Sequence, residues 1–450
     1  MAVTFDAIVV GAGCAGLSAA VRLAGRGRRV LVLEARSRLG GRATAFRDRE
    51  TGERVDNGQH VLLGCYRDTF AFLDAIDARR NVRLQPSLRA TMIDRAGRRS
   101  TLTCPPLPPP LHLLAGLMEW DALDWRDRAA ALRMAAPLRI ARRQLEPGSR
   151  MIAASPGETV ENWLLRNGQT DRLREMLWDP LALAAMNQPP ARAAAPTFAR
   201  VLAEMFSSDP SAAAIALPVQ PLDLMYAEPA RSFVESRGGI VLTGTPATIA
   251  VSGDRIAGVE SSGDRWEAPA VISAVPWYVF PDLLVGDASR LATIVDRARA
   301  MDASPIVTVN LWLDRQVLDE PFIGLPGRHT QWVFDKRAAF GAEASHLSIV
   351  ASGAAALAGR PNDEVVATAH QELMDAIPAM RAARLLRATV IREPRATFSL
   401  APGQPPRPST TTTVRGLYLA GDWIETGLPA TIEGAVRSGH LAAECALADR

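Results

Sequence analysis

A tight glycine turn set between a buried strand and a helix constrains this chain more than any other feature. Thr4 to Val10 is a continuous run rich in valine and isoleucine, the pattern of a strand covered on both faces. Gly11-Ala12-Gly13-Cys14-Ala15-Gly16 follows directly, and Leu17 to Arg26 has helical character. A second buried strand, Val30 to Leu33, ends at Glu34. Each part has a physical task. Gly11 allows the tight turn, Gly13 lets the backbone approach a pyrophosphate, and Gly16 lets helix pack on strand. The start of the helix offers free N–H groups and partial positive charge to phosphates. Glu34 stands where a carboxylate accepts two ribose hydroxyls. The plain alternative is a glycine turn followed by an unrelated acid.

The residues after Glu34 separate a flavin dinucleotide from a nicotinamide one. Ala35, Arg36, Gly40, Gly41 and Arg42 place a second glycine pair and an arginine just beyond the ribose acid. The glycines permit close backbone approach, and Arg42 suits a bidentate phosphate contact. At the other end of the chain, Gly416 to Leu419 reads as a buried strand leading to Gly421-Asp422. Pro429-Ala-Thr431-Ile432-Glu-Gly-Ala435 then opens the last helix. An acid at a strand end beside a second helix start suits a ribityl chain and the far side of a pyrophosphate.

At 450 residues the chain exceeds one compact core and is expected to form two or three domains. Hydrophobic residues at 48% and charged residues at 22% exclude a largely disordered or collagen-like protein. A net charge of +3 gives no support for nucleic-acid binding. Lys336 is the only lysine, which argues against amine-nucleophile chemistry. Cys14, Cys65, Cys104 and Cys445 form no CxxC and have no histidine at ligand spacing, so no metal site or disulfide framework is expected. Scattered cysteines suit a reducing compartment. The first residues lack a cationic region and a cleavage site, as expected of a strand rather than a signal peptide. The longest uncharged stretch, Ser100 to Met118, contains five prolines that no spanning helix could absorb.

Between the two glycine-rich ends the character changes. Residues 105–225 are rich in alanine, leucine, arginine and proline, with helical periodicity over Arg126–Leu145, Val160–Arg166 and Phe198–Phe206. Strands are expected over Ile240–Leu242, Ala247–Val251, Arg255–Val259 and Ala270–Val275, then Ile306–Leu313, Gln331–Phe334, Leu347–Ala351 and Leu385–Ile391. Residues 403–408 read as a linker, and no internal repeat is present.

With these motifs in hand, the sequence resembles the flavin-containing amine oxidase and phytoene desaturase superfamily, most strongly over residues 4–66 and 414–440. The resemblance implies an α/β fold: a Rossmann-type FAD-binding domain, glutathione-reductase-like, with an inserted α+β substrate domain. It implies a discontinuous FAD-binding domain over 1–66, 229–290 and 403–450, and a substrate domain over 67–228 and 291–402. The cofactor contacts it implies are Gly11, Gly13, Cys14, Ala15, Gly16, Glu34, Ala35, Arg36, Gly40, Gly41, Arg42, Gly58, Gln59, His60, the backbone at Ala247, Gly421, Asp422, Thr431 and Ile432. No histidine or cysteine sits where covalent attachment would be obvious, so non-covalent FAD is expected. Asp56 to Tyr66, Pro110 to Leu114, Gln331 to Asp335 and Gly421 to Gly439 look like the squalene-associated branch. That branch implies hydride transfer from reduced flavin to hydroxysqualene, with loss of the hydroxyl, giving squalene for hopanoid-type isoprenoid metabolism. An oxidising member, either a carotenoid-type desaturase or an amine oxidase, is the alternative, and a non-catalytic isoprenoid carrier is a third reading.

Removing an allylic hydroxyl requires a proton donor near the flavin, and Asp56, His60 and Glu425 are the candidates, with Gln59 as a polar positioner. A long isoprenoid also needs an apolar tunnel, which Trp120, Trp125, Trp163 and Trp178 could line. Leu107, Leu111, Leu113, Leu114, Leu117 and Met118 precede Arg126, Arg128, Arg133, Arg139, Arg142 and Arg143. Apolar residues beside a row of arginines suit an interfacial anchor as well as they suit an ordinary solvated helix. The expected location is the cytoplasm, with peripheral contact at the inner face of the cell membrane. Nothing in the sequence names the electron donor.

Overall fold

The computed structural model describes residues 4–146, 148–341 and 345–449. Five strands form one parallel sheet in the order Ile240–Thr243, Val30–Glu34, Ala7–Val10, Ala270–Ser273, Leu417–Leu419. The inner strands are apolar along their whole length because both faces are covered, Ala7, Val9, Val30 and Val32 by helices and Ile8, Val10, Leu31 and Leu33 by a second sheet. Cys14–Gly25 connects the first two strands, and Ile432–Ala448 packs beside it. A side-chain carbon on Gly439 would lie 2.1 Å from the Ala15 carbonyl oxygen, so only glycine permits this approach. The strand order reverses between Ala7–Val10 and Ala270–Ser273, and a crevice opens at their carboxyl ends. Such a switch point is where open α/β sheets bind ligands. A four-stranded sheet of Thr248–Ser252, Arg255–Ser261, Asp264–Trp266 and Leu284–Asp287 flanks this layer.

A seven-stranded sheet forms the second body, in the order Leu385–Phe398, Ala303–Leu313, Ser345–Ser352, Trp332–Asp335, Phe322–Gly324, Arg89–Ile93, Arg99–Thr103. Strand alternation divides its residues. Val307, Val309, Leu311, Ile349 and Ala351 pack in one core with the helix Asn362–Ala376. Ala90, Met92, Trp332, Phe334, Val350 and Ser352 turn the other way, into a cavity.

Helices from Leu111–Glu119 to Ala195–Met205 close that cavity. The expected helix over Arg126–Leu145 is two helices, Trp125–Leu132 and Ala135–Gln144. Pro137 has no N–H to give the Arg133 carbonyl, and the turn before it tightens to bonds from Arg133 and Met134 three residues back. The hairpin Arg89–Ile93/Arg99–Thr103 carries no clear period in the sequence. Its turn is held by the Asp94 carboxylate, which accepts from the N–H groups of Ala96 and Arg98. Among the described residues, no helix is long and apolar enough to cross a membrane.

Candidate functional site

One cavity of about 660 Å³ reaches both the glycine turn and the helical region. Its polar part is built from strand ends. Gly11 has φ +104°, and a Cβ there would press on the Ala274 carbonyl at 2.9 Å. Gly13 caps the helix Cys14–Gly25 with no side chain over its first N–H groups, which leaves them free for an anion. The second glycine pair packs onto this turn, with Gly40 bridged to Gly13 and Gly41 at φ +60°. Gly16 does not face the cavity. It lies behind the turn, where a Cβ would fall 1.9 Å from the Gly11 carbonyl oxygen.

Glu34, buried at its strand end, accepts from the N–H groups of Ala12 at 2.8 Å and Arg36 at 2.9 Å. Ala15, Ala35, Arg36 and Ala247 line the cavity, as do Cys14, Gly58 and Gln59. Burial pushes the Cys14 thiol up to about 11, so it stays protonated. Arg42, expected to contact a phosphate, lines the cavity and is also bonded within the protein. Its guanidinium donates to Asp422 at 2.5 Å and to the Ala396 carbonyl at 2.8 Å. Burial pulls its pKa down, but the Asp422 carboxylate outweighs this and holds it above its ordinary value. Gly421 and Asp422 end their strand at the cavity, and Thr431 caps the last helix by accepting from Gly434 N–H, beside Ile432.

The three expected proton donors part company. Asp56 is closed off from solvent and does not reach the cavity. One of its oxygens takes the Lys336 ammonium at 2.7 Å and the other takes Leu222 N–H at 2.9 Å. With both oxygens engaged and no access to the cavity, Asp56 ties elements together instead. Glu425 is half exposed, bonds to the Arg407 guanidinium at 2.8 Å and does not line the cavity. Its sequence neighbour Asp422 is at the site, but the turn between them carries Glu425 outward.

His60 does line the cavity. Its Nδ1 lies 2.8 Å from the Gly58 carbonyl, which only accepts, so Nδ1 carries the hydrogen. Burial lowers its pKa, reinforced by the Lys336 charge and opposed by the Gly58 carbonyl, Asp56 and Glu393. A neutral ring with Nδ1–H presents an acceptor at Nε2, which suits holding a hydroxyl better than protonating one.

Two site residues escaped the sequence reading. Lys336 is buried beneath the Asp56–His60 segment, donating to Asp56 and Gln59 and lying 3.7 Å above the Phe340 ring. Being the sole lysine was its only signal. Glu393 faces the cavity from a strand expected to stop at Ile391, which in fact runs to Phe398. Only strand register brings it there, by pairing with Ile306 next to a bulge.

Most of the remaining wall is apolar: Leu88, Met92, Leu102, Leu113, Leu117 and Leu181 among others. Trp120 and Trp178 belong to it. Trp163 instead packs edge-on against Phe198 in the helical core, and Trp125 is 72% exposed on the surface. Met176, Leu177 and Trp178 face the cavity consecutively because Arg174–Trp178 is a π-helical turn, which widens the helix there.

A family model described as flavin containing amine oxidoreductase matches residues 14–447. A hydroxysqualene dehydroxylase of Sinorhizobium fredii is 29% identical over 446 residues, covering 98% of each chain. A 15-cis-phytoene desaturase of Synechococcus elongatus is 24% identical, covering 98% of this chain and 95% of that one. Among solved structures, an oxidoreductase from Methanosarcina mazei superposes with a TM-score of 0.75 at 17% identity. It covers 97% of this chain and 99% of its own.

Proposed function

The chain belongs to the flavin containing amine oxidoreductase family and is an FAD-dependent oxidoreductase, and from that premise we propose that it removes the hydroxyl of hydroxysqualene to give squalene. The observation that carries the reading is the single cavity joining a dinucleotide-shaped polar end to a long apolar wall. The names borne by similar chains agree with it.

The polar end fits FAD without covalent attachment. The uncapped helix start at Gly13, the Gly13–Gly40 contact and the aligned Glu34 carboxylate match a pyrophosphate and a ribose. Arg42, Asp422 and Thr431 would hold the flavin side. FAD, when bound and reduced, supplies a hydride for the substrate carbon. The chain itself would grip the hydrocarbon with leucine, methionine and tryptophan, exclude water, and hold the hydroxyl where His60 and Glu393 face the cavity.

Leu107, Leu111 and Trp125 are exposed, as are Arg126, Arg139, Arg142 and Arg143 in the segments that follow, while Leu113 and Leu117 of the same apolar stretch line the cavity. This supports peripheral contact with a membrane surface, from which a water-insoluble substrate would pass inward.

The test is anaerobic incubation of dithionite-reduced enzyme with hydroxysqualene. Squalene should form as the flavin is oxidised, and deuterium placed on flavin N5 should appear in the product. Oxidised enzyme that instead adds double bonds to a C30 or C40 polyene would establish the desaturase alternative.

A further inference from the structure

Four carboxylates line the cavity, and three of them have evident employment or exposure. Glu34 is fixed by two backbone N–H groups at the ribose end, Asp422 is paired with Arg42, and Asp282 is exposed. The fourth, Glu393, is partly buried and makes no ion pair among the described residues. Among the described residues its carboxylate takes one hydrogen bond, from Asn57 Nδ2 to Oε1 at 3.2 Å, and Oε2 has no partner there. Asn57 also donates to the Arg42 carbonyl and accepts from Thr44 N–H, so the residue steering Glu393 is itself fixed. His60, on the adjoining Asp56–His60 segment, faces the same space.

We propose that Glu393 is the catalytic acid of this enzyme, the group that contacts the substrate hydroxyl and protonates it as it leaves. The proposal rests on the dehydroxylase reading above. The carboxyl O–H bond breaks and its proton passes to the hydroxyl oxygen, while His60 Nε2 positions that hydroxyl. The carbon–oxygen bond breaks and water departs. The carbon gains the hydride that the reduced cofactor carries, so substrate is reduced by two electrons and flavin oxidised by two. Glu393 is left as a carboxylate and regains its proton from solvent.

The chemistry follows from position. A polar hydroxyl on a hydrocarbon loses its water contacts on entering an apolar cavity, so a polar partner that meets it there decides where along the chain the substrate stops.

Two measurements test this. First, oxidised holoenzyme, which cannot turn over, is titrated with hydroxysqualene and with squalene while fluorescence of the wall tryptophans is followed. Wild type should favour the hydroxylated lipid by about 10-fold or more. Glu393→Leu should erase that preference and keep the affinity for squalene. Second, at full FAD occupancy Glu393→Gln should lose about 10²–10⁴ in turnover, with Glu393→Asp recovering part of it. A preserved preference in Glu393→Leu, or unchanged turnover in Glu393→Gln beside an active wild type, overturns this inference alone. A wild type that neither prefers the hydroxyl nor forms squalene overturns the dehydroxylase reading and this proposal with it.

Discussion

The Lys336 ammonium lies 2.7 Å from the Asp56 carboxylate, and each side chain is at least 98% shielded from solvent. Burial lowers the lysine's pKa, and the Asp56 charge opposes the shift. The pair joins the strand Trp332–Asp335 to the segment that presents His60. Its position beneath the cavity wall makes it a scaffold for the site.

Breaking that pair leaves a buried charge uncompensated. Lys336→Met should lower unfolding stability by about 3–5 kcal/mol, measured by urea denaturation of holoenzyme. Adding Asp56→Leu should restore part of the loss, the sign of a direct coupling. Asp56→Asn should likewise destabilise, yet at matched FAD occupancy its turnover should stay within a few-fold of wild type.

Cofactor retention reports on the glycine turn and its acids. Glu34→Ala and Asp422→Ala should each weaken FAD binding, by about 10–100-fold if each removes one or two hydrogen bonds involving a charge. Gly16→Ala should be more severe, because the new methyl would lie 1.9 Å from the Gly11 carbonyl and force the turn open. Flavin absorbance after gel filtration measures all three. A yellow Gly16→Ala protein with wild-type affinity would contradict this packing.

Acid stability should carry the mark of His346. Its ring is stacked on Trp312, with Nε2 2.9 Å from Asn310 Oδ1. Burial, assisted by the Lys336 charge and opposed by Asp48, drops its pKa from 6.5 to about 3. Between those values the unfolded chain binds a proton that the folded chain refuses. Stability therefore falls as pH is lowered through this window, by up to about 1.4 kcal/mol per pH unit. His346→Gln should flatten that slope in denaturation curves from pH 7 to 4.

Membrane contact predicts co-sedimentation with anionic vesicles and partial release by salt. Reversing the charges of Arg139, Arg142 and Arg143 should reduce binding, and Trp125→Ser should reduce it independently of salt. Unchanged binding in both variants would assign these residues to an ordinary solvated face.

What the sequence determined by itself was the glycine-turn end of the cavity. Gly11, Gly13, Gly16 and Glu34 act within one local β-α-β unit, where spacing along the chain is nearly spacing in the fold, so backbone requirements could be read directly. The same holds for Gly421, Asp422 and Thr431, which sit at a strand end and a helix start. The reacting end depended on tertiary structure. Asp56 and Glu425 had suitable chemistry and near neighbours at the cavity, but ion pairs with Lys336 and Arg407 took both away from it. Glu393 entered from more than 300 residues beyond His60, through sheet register and a bulge. A one-residue slip in that register would turn its side chain to the opposite face. Local geometry shapes the glycine-turn end of the cavity, whereas the pairing of distant strands decides which acid faces its interior.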